Sequence, residues 1–379
     1  MKNSIGQSVI LTLAGESHGE MICAVLDGLA PGIPVDEGFI AEQLGKRRPQ
    51  GPTDTARREK DEFRIVSGVF EGYTTGAPLT ILIPNGDTRS SDYNPELPRP
   101  SHADWVAHTR YGGFEDWRGG GHFSGRITAG IVAAGAIAIK ALQGKGVRIA
   151  THILECGGVQ DRPFADCEGD IVLLDGRAFP VLDDVQDAMT ERITAAKAEG
   201  DSIGGTVQTA ITGLPAGVGE PWFDSLDGVI ANAVFSIGGV KGVEFGDGFA
   251  LARMKGSQAN DQFTVENGQI RTSTNHNGGI NGGLSNGMPV VFNTAVKPTP
   301  SISLQQQSVN LRTGQPAGLT LKGRHDPAIV RRICIVISSL VAIVLCDRLA
   351  LRYGTDWLAG VKGNNDASQE DAIKNGGRE

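Results

Sequence analysis

The stretch Asp116 to Thr128, Asp-Trp-Arg-Gly-Gly-Gly-His-Phe-Ser-Gly-Arg-Ile-Thr, constrains the chain more than any other. Three consecutive glycines permit a backbone path closed to other residues, and a polar group of His122, Ser124 and Arg126 follows at once. From Ile127 to about Leu142 the sequence turns to Ala, Ile and Val, which predicts a buried helix. Glycines let backbone approach a ligand, and a helix start offers unpaired N–H groups to an anion. Arg126 adds a planar fork suited to phosphate or carboxylate. An ordinary loop with a capped helix has the same composition, so both readings stand. The spacing is neither that of a Walker loop nor that of a dinucleotide fingerprint.

With 379 residues the chain forms two ordinary domains or one large one, and 40% hydrophobic residues suffice for a sizeable core. The 53 glycines argue for many tight turns and close backbone contacts. A net charge of −8 argues against bulk attraction to nucleic acid or membranes, whereas local arginine clusters fit a small anionic ligand. The cysteines (Cys23, Cys156, Cys167, Cys334, Cys346) show no metal-binding spacing, which predicts reduced thiols in a cytoplasmic protein and no metal site. The start of the chain lacks a basic region followed by an apolar one, so no signal peptide is expected. The apolar run Ile333 to Leu345 is too short to span a bilayer and suits a core helix. Residues 363–379 form a polar tail, expected to be mobile, behind a single unit of residues 1–362.

Strands are predicted at Ser8–Leu13, Ile22–Leu26, Val147–Leu154, Thr206–Ile211 and Pro289–Val296, with broken alternation from Phe63 to Ile83. Asp36 is placed to cap a helix ending near Lys46, and a second helix is expected over Val185–Ala198. His18 sits between glycines past a strand end, accessible yet backbone-positioned; a turn histidine without a role looks the same. The clusters Lys46-Arg47-Arg48-Pro49 and Arg57-Arg58-Glu59-Lys60 form either a solvated surface or one wall of an anion site. The stretch Pro84 to Arg110 is long, polar and irregular, a pattern common in functional loops. Within it Arg99-Pro100-Ser101-His102-Ala103-Asp104 places a histidine where arginine and aspartate can orient it, or where it serves structure alone. In the second half, Ser236 to Gly248 and Asn275 to Gly283 are glycine-rich, and Lys297 to Ser301 follows a strand. Arg324 then precedes a long apolar helix, Ala328 to Leu349, as Arg126 precedes the earlier one. Two such halves suggest internal duplication, without a residue-level repeat.

Two glycine-framed histidines, isolated arginines and several glycine-rich loops together fit one large anionic, planar ligand system. A flavin phosphate with a phosphorylated carboxylate substrate matches that inventory. A metal-dependent hydrolase using His18, His102 and Asp104 is a second class, though metal-ligand spacing is lacking. A non-catalytic flavin- or phosphate-binding protein is a third.

From near Ile5 to Leu351 the chain resembles the chorismate synthase family. The resemblance rests on Gly15-Glu16-Ser17-His18-Gly19, Arg47-Arg48-Pro49, Ser67 to Gly72, Arg99 to Asp104, Gly119 to Arg126, Val240 to Glu244, Gly278 to Gly283, Lys297-Pro298-Thr299 and Gly323 to Pro327. It implies an α+β fold, a layered β-α-β sandwich with a helical core between antiparallel sheets, assembled as a homotetramer. It implies an FMN-dependent lyase of the shikimate pathway that converts 5-enolpyruvylshikimate 3-phosphate to chorismate and phosphate by 1,4-trans elimination. By the same resemblance His18 protonates the departing phosphate, His102 protonates or orients reduced FMN, and Asp326 joins the proton relay. Arg47, Arg48, Arg99, Ser124 and Arg126 hold the substrate's anionic groups. His122, Phe123, Ser124, Gly238, Gly239, Gly282, Lys297, Pro298, Thr299, Pro300, Ser301 and Arg324 contact FMN. No reductase domain is visible, which favours a separate flavin reductase over self-reduction with NADPH. The chain departs from the family's common pattern at His122-Phe123-Ser124-Gly125, at Gly238-Gly239, at Ser101, where glycine is common, and at Thr53, near which many members carry a further arginine.

Overall fold

Two helices, Thr128–Gln143 and Val330–Tyr353, lie side by side at the centre of the molecule. The first is rich in Ala and Gly, so its backbone comes close to its neighbour. A Cβ on Gly135 would lie 2.4 Å from Cβ of Ser339, which excludes any larger residue without a shift of one helix. The structure, a computed structural model, describes residues 2–51, 53–55, 60–88, 93–321 and 325–360.

An antiparallel sheet covers each side of the helix pair. The first runs in the order Ser4–Ile5, Ile10–Ala14, Met21–Asp27, Leu79–Pro84, Arg64–Ser67. Its two middle strands alternate strictly, turning Ile22, Ala24, Leu26, Leu79, Ile81 and Ile83 into the core. The second runs in the order Val240–Phe245, Val290–Val296, Gly205–Thr212, Arg148–Cys156, Val159–Gln160. One continuous apolar core links both sheets through the helices, from Val9 to Leu358. This is the expected α+β sandwich.

The two halves repeat one topology. In the first, Ile10–Ala14, Met21–Asp27, helix Glu37–Arg47, Arg64–Ser67 and Leu79–Pro84 lead to helix Thr128–Gln143. In the second, Arg148–Cys156, Gly205–Thr212, helix Leu226–Phe235, Val240–Phe245 and Val290–Val296 lead to helix Val330–Tyr353. In each sheet these four strands stand in the order first, second, fourth, third. The helices Cys167–Leu174 and Gln186–Ala198 and several short hairpins are additions to this frame. The duplication expected from sequence is thus one of topology.

Asp36 caps helix Glu37–Arg47 as expected, accepting from Phe39 N at 2.9 Å. Two expectations need correction. The stretch Pro84 to Arg110 is not irregular throughout: helix Asp104–Tyr111 closes it, and because only Ala107 is buried no apolar period announces it. The apolar run at Ile333 belongs to a 24-residue helix, long enough to cross a membrane by length and composition. Its apolar window is 100% buried in the protein, and that of the other long helix is 83% buried, so both serve as core. All five cysteines are free thiols.

Candidate active site

The glycine triplet makes the turn that organises the site. Gly119, Gly120 and Gly121 all have positive φ, at 61°, 82° and 54°, which other residues adopt at a cost. A Cβ at 121 would lie 1.9 Å from the Asp116 carbonyl oxygen. A Cβ at 119 would lie 2.5 Å from His18 Nε2, and one at 120 would lie 3.1 Å from His102 Cε1. The two histidines, 84 positions apart in sequence, therefore both pack against one bare backbone turn. His18 also meets the ring of Tyr93 edge-on, with centroids 5.6 Å apart.

His102 is held by its neighbours. Its Nδ1 lies 2.6 Å from Asp104 Oδ1, and Arg99 brackets the same carboxylate at 2.7 and 2.8 Å. Arg99 Nη2 also approaches Nδ1 at 3.0 Å, but the carboxylate can only accept, so the ring proton sits on Nδ1 and points to Asp104. That leaves Nε2 for proton exchange. Burial pushes the Asp104 carboxyl up, yet hydrogen bonds from Arg99 and His102 outweigh it and hold the group well below the usual carboxylate range. The second half reaches this loop through Lys297, whose Nζ donates to the Ser101 carbonyl at 2.6 Å, and Ser301, whose Oγ lies 3.2 Å from Arg99 Nη1. Burial, with Lys241 nearby, lowers the Lys297 pKa.

Arg47 and Arg126 share one carboxylate that the sequence reading missed. Asp61, fully buried, accepts from Arg47 Nη1 at 3.1 Å and from Arg126 Nη1. Arg47 also donates to Thr128 Oγ1 at 2.9 Å, and Arg126 to Asn85 Oδ1 at 2.8 Å. Helix Glu37–Arg47 presents Arg47 because its carbonyl end is fastened to the start of the last helix. Arg331 donates to the Lys46 and Arg48 carbonyls, and Arg332 to that of Arg47, satisfying acceptors that a helix end leaves open. Arg332 also pairs with Asp326 at 2.5 Å, and Thr55 N donates to the other oxygen of Asp326 at 3.0 Å.

Two cavities result, with no lining residue in common. The smaller, about 200 Å³, is lined by Arg47, Ser124, Arg126, Thr128, Gly238, Asp326 and Arg332 among others. Thr128 opens one central helix and Ile329 caps the other, so both helices aim their positive ends at it. With three guanidiniums in the wall, this cavity suits an anion. The larger, about 450 Å³, lies across the glycine turn among Tyr93, Tyr111, Trp117, Phe123, His122 and Arg99. Its aromatic walls suit a planar ring.

The remaining sequence-predicted positions scatter. His122 is tied through Nδ1 to the Gly15 carbonyl at 2.8 Å, and Phe123 is half exposed beside Tyr111. Gly239 adjoins Gly238, against Ile329. Arg48 lines neither cavity and donates to the Lys60 carbonyl at 2.9 Å. Gly282, itself exposed, turns the hairpin of Ile280–Asn281 with Leu284–Ser285 and lines neither cavity. Pro298 is exposed, Thr299 and Pro300 are half-buried, and Thr53 is buried. Arg324 and Arg57 to Glu59 lie outside the described residues, as does the tail 363–379. Among the described residues no group of three His, Cys, Asp or Glu side chains converges as metal ligands would.

Comparison with known proteins covers the whole frame just described. The sequence profile of the chorismate synthase family matches residues 9–350. Chorismate synthase of Methanosarcina mazei is 45% identical over 358 residues, spanning 93% of this chain and 97% of that protein. That of Thermococcus gammatolerans is 43% identical over 349 residues, spanning 92% and 97%. A crystal structure of chorismate synthase superposes with a TM-score of 0.72 at 26% identity, over 92% of this chain and 94% of that one. Similarity at this level over nearly every element that builds the site settles the matter: the chain belongs to the chorismate synthase family, lyases of the shikimate pathway.

Proposed function

We propose that the chain releases phosphate from 5-enolpyruvylshikimate 3-phosphate by 1,4-trans elimination, forming chorismate with the help of reduced FMN. The observation that carries this reading is the smaller cavity, which Arg47, Arg126, Arg332 and the positive ends of both central helices line. A leaving phosphate needs this concentration of positive charge. In this reading Arg47, Arg126 and Ser124 hold the anionic groups of the substrate, with Arg99 and Arg48 as outlying members. His18 delivers the proton that the departing phosphate takes up. His102, its Nδ1 proton committed to Asp104, exchanges a proton through Nε2. Asp326, held between Arg332 and Thr55 N, accepts a proton at whichever oxygen its partners release.

The residues present fit FMN. Thr299 Oγ1 is buried without a partner beside Lys297 and Ser301, a donor set suited to an acceptor-rich ligand. His122, Phe123, Ser124, Gly238, Gly239 and Lys297 to Ser301 would hold the cofactor, with Gly282 and Arg324 as further candidates. Reduced FMN supplies electron density to the substrate and is not consumed.

The same reading makes residues 1–362 one domain of a cytoplasmic homotetramer served by a separate flavin reductase. Trp222, Phe223, Phe249 and Phe263, 79 to 97% exposed, support burial against other copies. An anaerobic phosphate-release assay with substrate and reduced FMN tests the activity. Phosphate release by the parent protein, falling about 10²–10⁴-fold in His18→Ala and in His102→Ala, is expected. FMN binding without any phosphate release would leave only the non-catalytic reading.

A further inference from the structure

The segments that set the second half apart from the first build a third cavity. Between the added helices Cys167–Leu174 and Gln186–Ala198 the chain carries Arg177 and Phe179. Together with Gln50 and Thr53, beyond helix Glu37–Arg47, and Arg331, in the first turn of helix Val330–Tyr353, these residues line a space of about 380 Å³. It shares no lining residue with either cavity of the candidate active site. Arg331 and Arg332 are consecutive, yet Arg331 lines this cavity and Arg332 the smaller one of the active site. We infer that the third cavity is a binding site for a phosphate group, free or carried by a small metabolite.

The wall is made of donors. Its polar side chains are Arg177, Arg331, Gln50, Gln186, Thr53 and Thr190, and among the described residues no carboxylate lines it, in a chain of net charge −8. Arg331, 5% exposed, gives Nη2 to Asp54 at 2.6 Å, and its Nη1 meets the Ala178 carbonyl at 3.5 Å, beside Arg177. Its Nε–H is buried and has no acceptor. An orphan donor in so buried a side chain is costly unless a ligand supplies the acceptor. Asp54 offsets the charge of Arg331, but Arg177 has no carboxylate partner among the described residues. Its Nη1 donates to the Val181 carbonyl at 2.5 Å, which holds the side chain and leaves its charge to the cavity. Helix Gln186–Ala198 adds its start: Val185 offers no side-chain cap, and Gln186 and Thr190 stand in the wall. Uncapped N–H groups at the positive end of a helix favour an anion. Asp187, in the same turn, is exposed and outside the wall. Six donor side chains exceed the roughly four lone-pair sites of a carboxylate, whereas a phosphate brings three strong acceptor oxygens and a charge of about −2. Ala178 and Phe179 give an organic part an apolar surface, and the volume is that of a small-molecule site.

Isothermal titration calorimetry of the full chain with glycerol 3-phosphate and with inorganic phosphate tests the site, in the parent and in Arg177→Gln, Thr190→Val and Arg332→Gln. The last variant weakens the smaller cavity, which also suits an anion, and so separates the two sites. The parent should bind, and Arg177→Gln should lower the affinity about tenfold or more, the scale of a lost charge-assisted contact. Thr190→Val keeps the shape and removes one donor, so it should lower the affinity about threefold, and it decides the matter by itself should Arg177→Gln fail to fold. Arg332→Gln should leave this affinity within about twofold. Tighter binding of glycerol 3-phosphate than of inorganic phosphate assigns the cavity to an organic phosphate, and equal affinities that both fall in Arg177→Gln assign it to free phosphate. A parent that binds neither probe overturns the site. So does an affinity that neither Arg177→Gln nor Thr190→Val changes, or one that Arg332→Gln lowers as much as Arg177→Gln does.

Discussion

Each half of the molecule brings an arginine to the start of its central helix and sets a carboxylate against it, but the two pairs differ. Arg126 and Asp61 are sealed, with side chains 2% and 0% exposed. Arg332 and Asp326 are both 17% exposed, and both line the smaller cavity. One frame, used twice, thus yields a closed pair and an open one. A sealed pair has no proton route and a high cost of rupture, so it can hold geometry but cannot exchange protons. An open pair trades stability for access, which proton transfer requires.

The comparison breaks or sharpens under mutation. The largest effect is expected at the open pair: Asp326→Asn should cut turnover by about 10²–10⁴-fold while costing about 1 kcal/mol or less of stability. Stopped-flow turnover and urea denaturation measure the two, and a full-rate variant removes Asp326 from the chemistry. At the sealed pair the balance should invert. Arg126→Ala should cost about 3–5 kcal/mol of stability, because Asp61 is left buried beside Arg47 alone, and should weaken substrate binding. Equal losses of stability at the two pairs would erase the distinction between them.

A smaller effect concerns Lys297, which bridges the halves. Its pKa is lowered, so its charge is present below that value and vanishes as pH rises through it. FMN affinity should therefore begin to fall at a lower pH than the value of about 10.4 of a free lysine would dictate. Titrations between neutral and alkaline pH follow it, and a flat profile would exclude Lys297 from the cofactor's phosphate. The smallest effect is local. Ser101 has φ of 60°. Ser101→Gly should stabilise the protein by about 1 kcal/mol or less, relieving left-handed strain at the loop that bears His102. A loss of stability in thermal melts would mean that the serine hydroxyl makes up for the strain.

The core was legible because an unbroken apolar run reports burial on every side. Ile127 to Leu142 reads as a buried helix, and the structure forms Thr128–Gln143. The anion wall was half legible. Arg47 and Arg48 look alike in a basic run, yet Ile40 and Leu44 set a stripe that reaches Arg47 at the next helical step and leaves Arg48 outside. Asp61 was not legible: it sits in a run of charges, Arg-Arg-Glu-Lys-Asp-Glu, whose local pattern is that of a solvated surface. Only a tertiary contact with Arg126, 65 positions on, turns it inward. Arg332 was hidden for the same reason, within a helix whose other early residues read as core.

The crossing of Gly135 and Ser339 governs how the site can admit a ligand. Helices that touch backbone to backbone have no slack along which to slide, and a displacement of a fraction of an ångström already meets repulsion. The two halves therefore cannot rock against one another as jaws do.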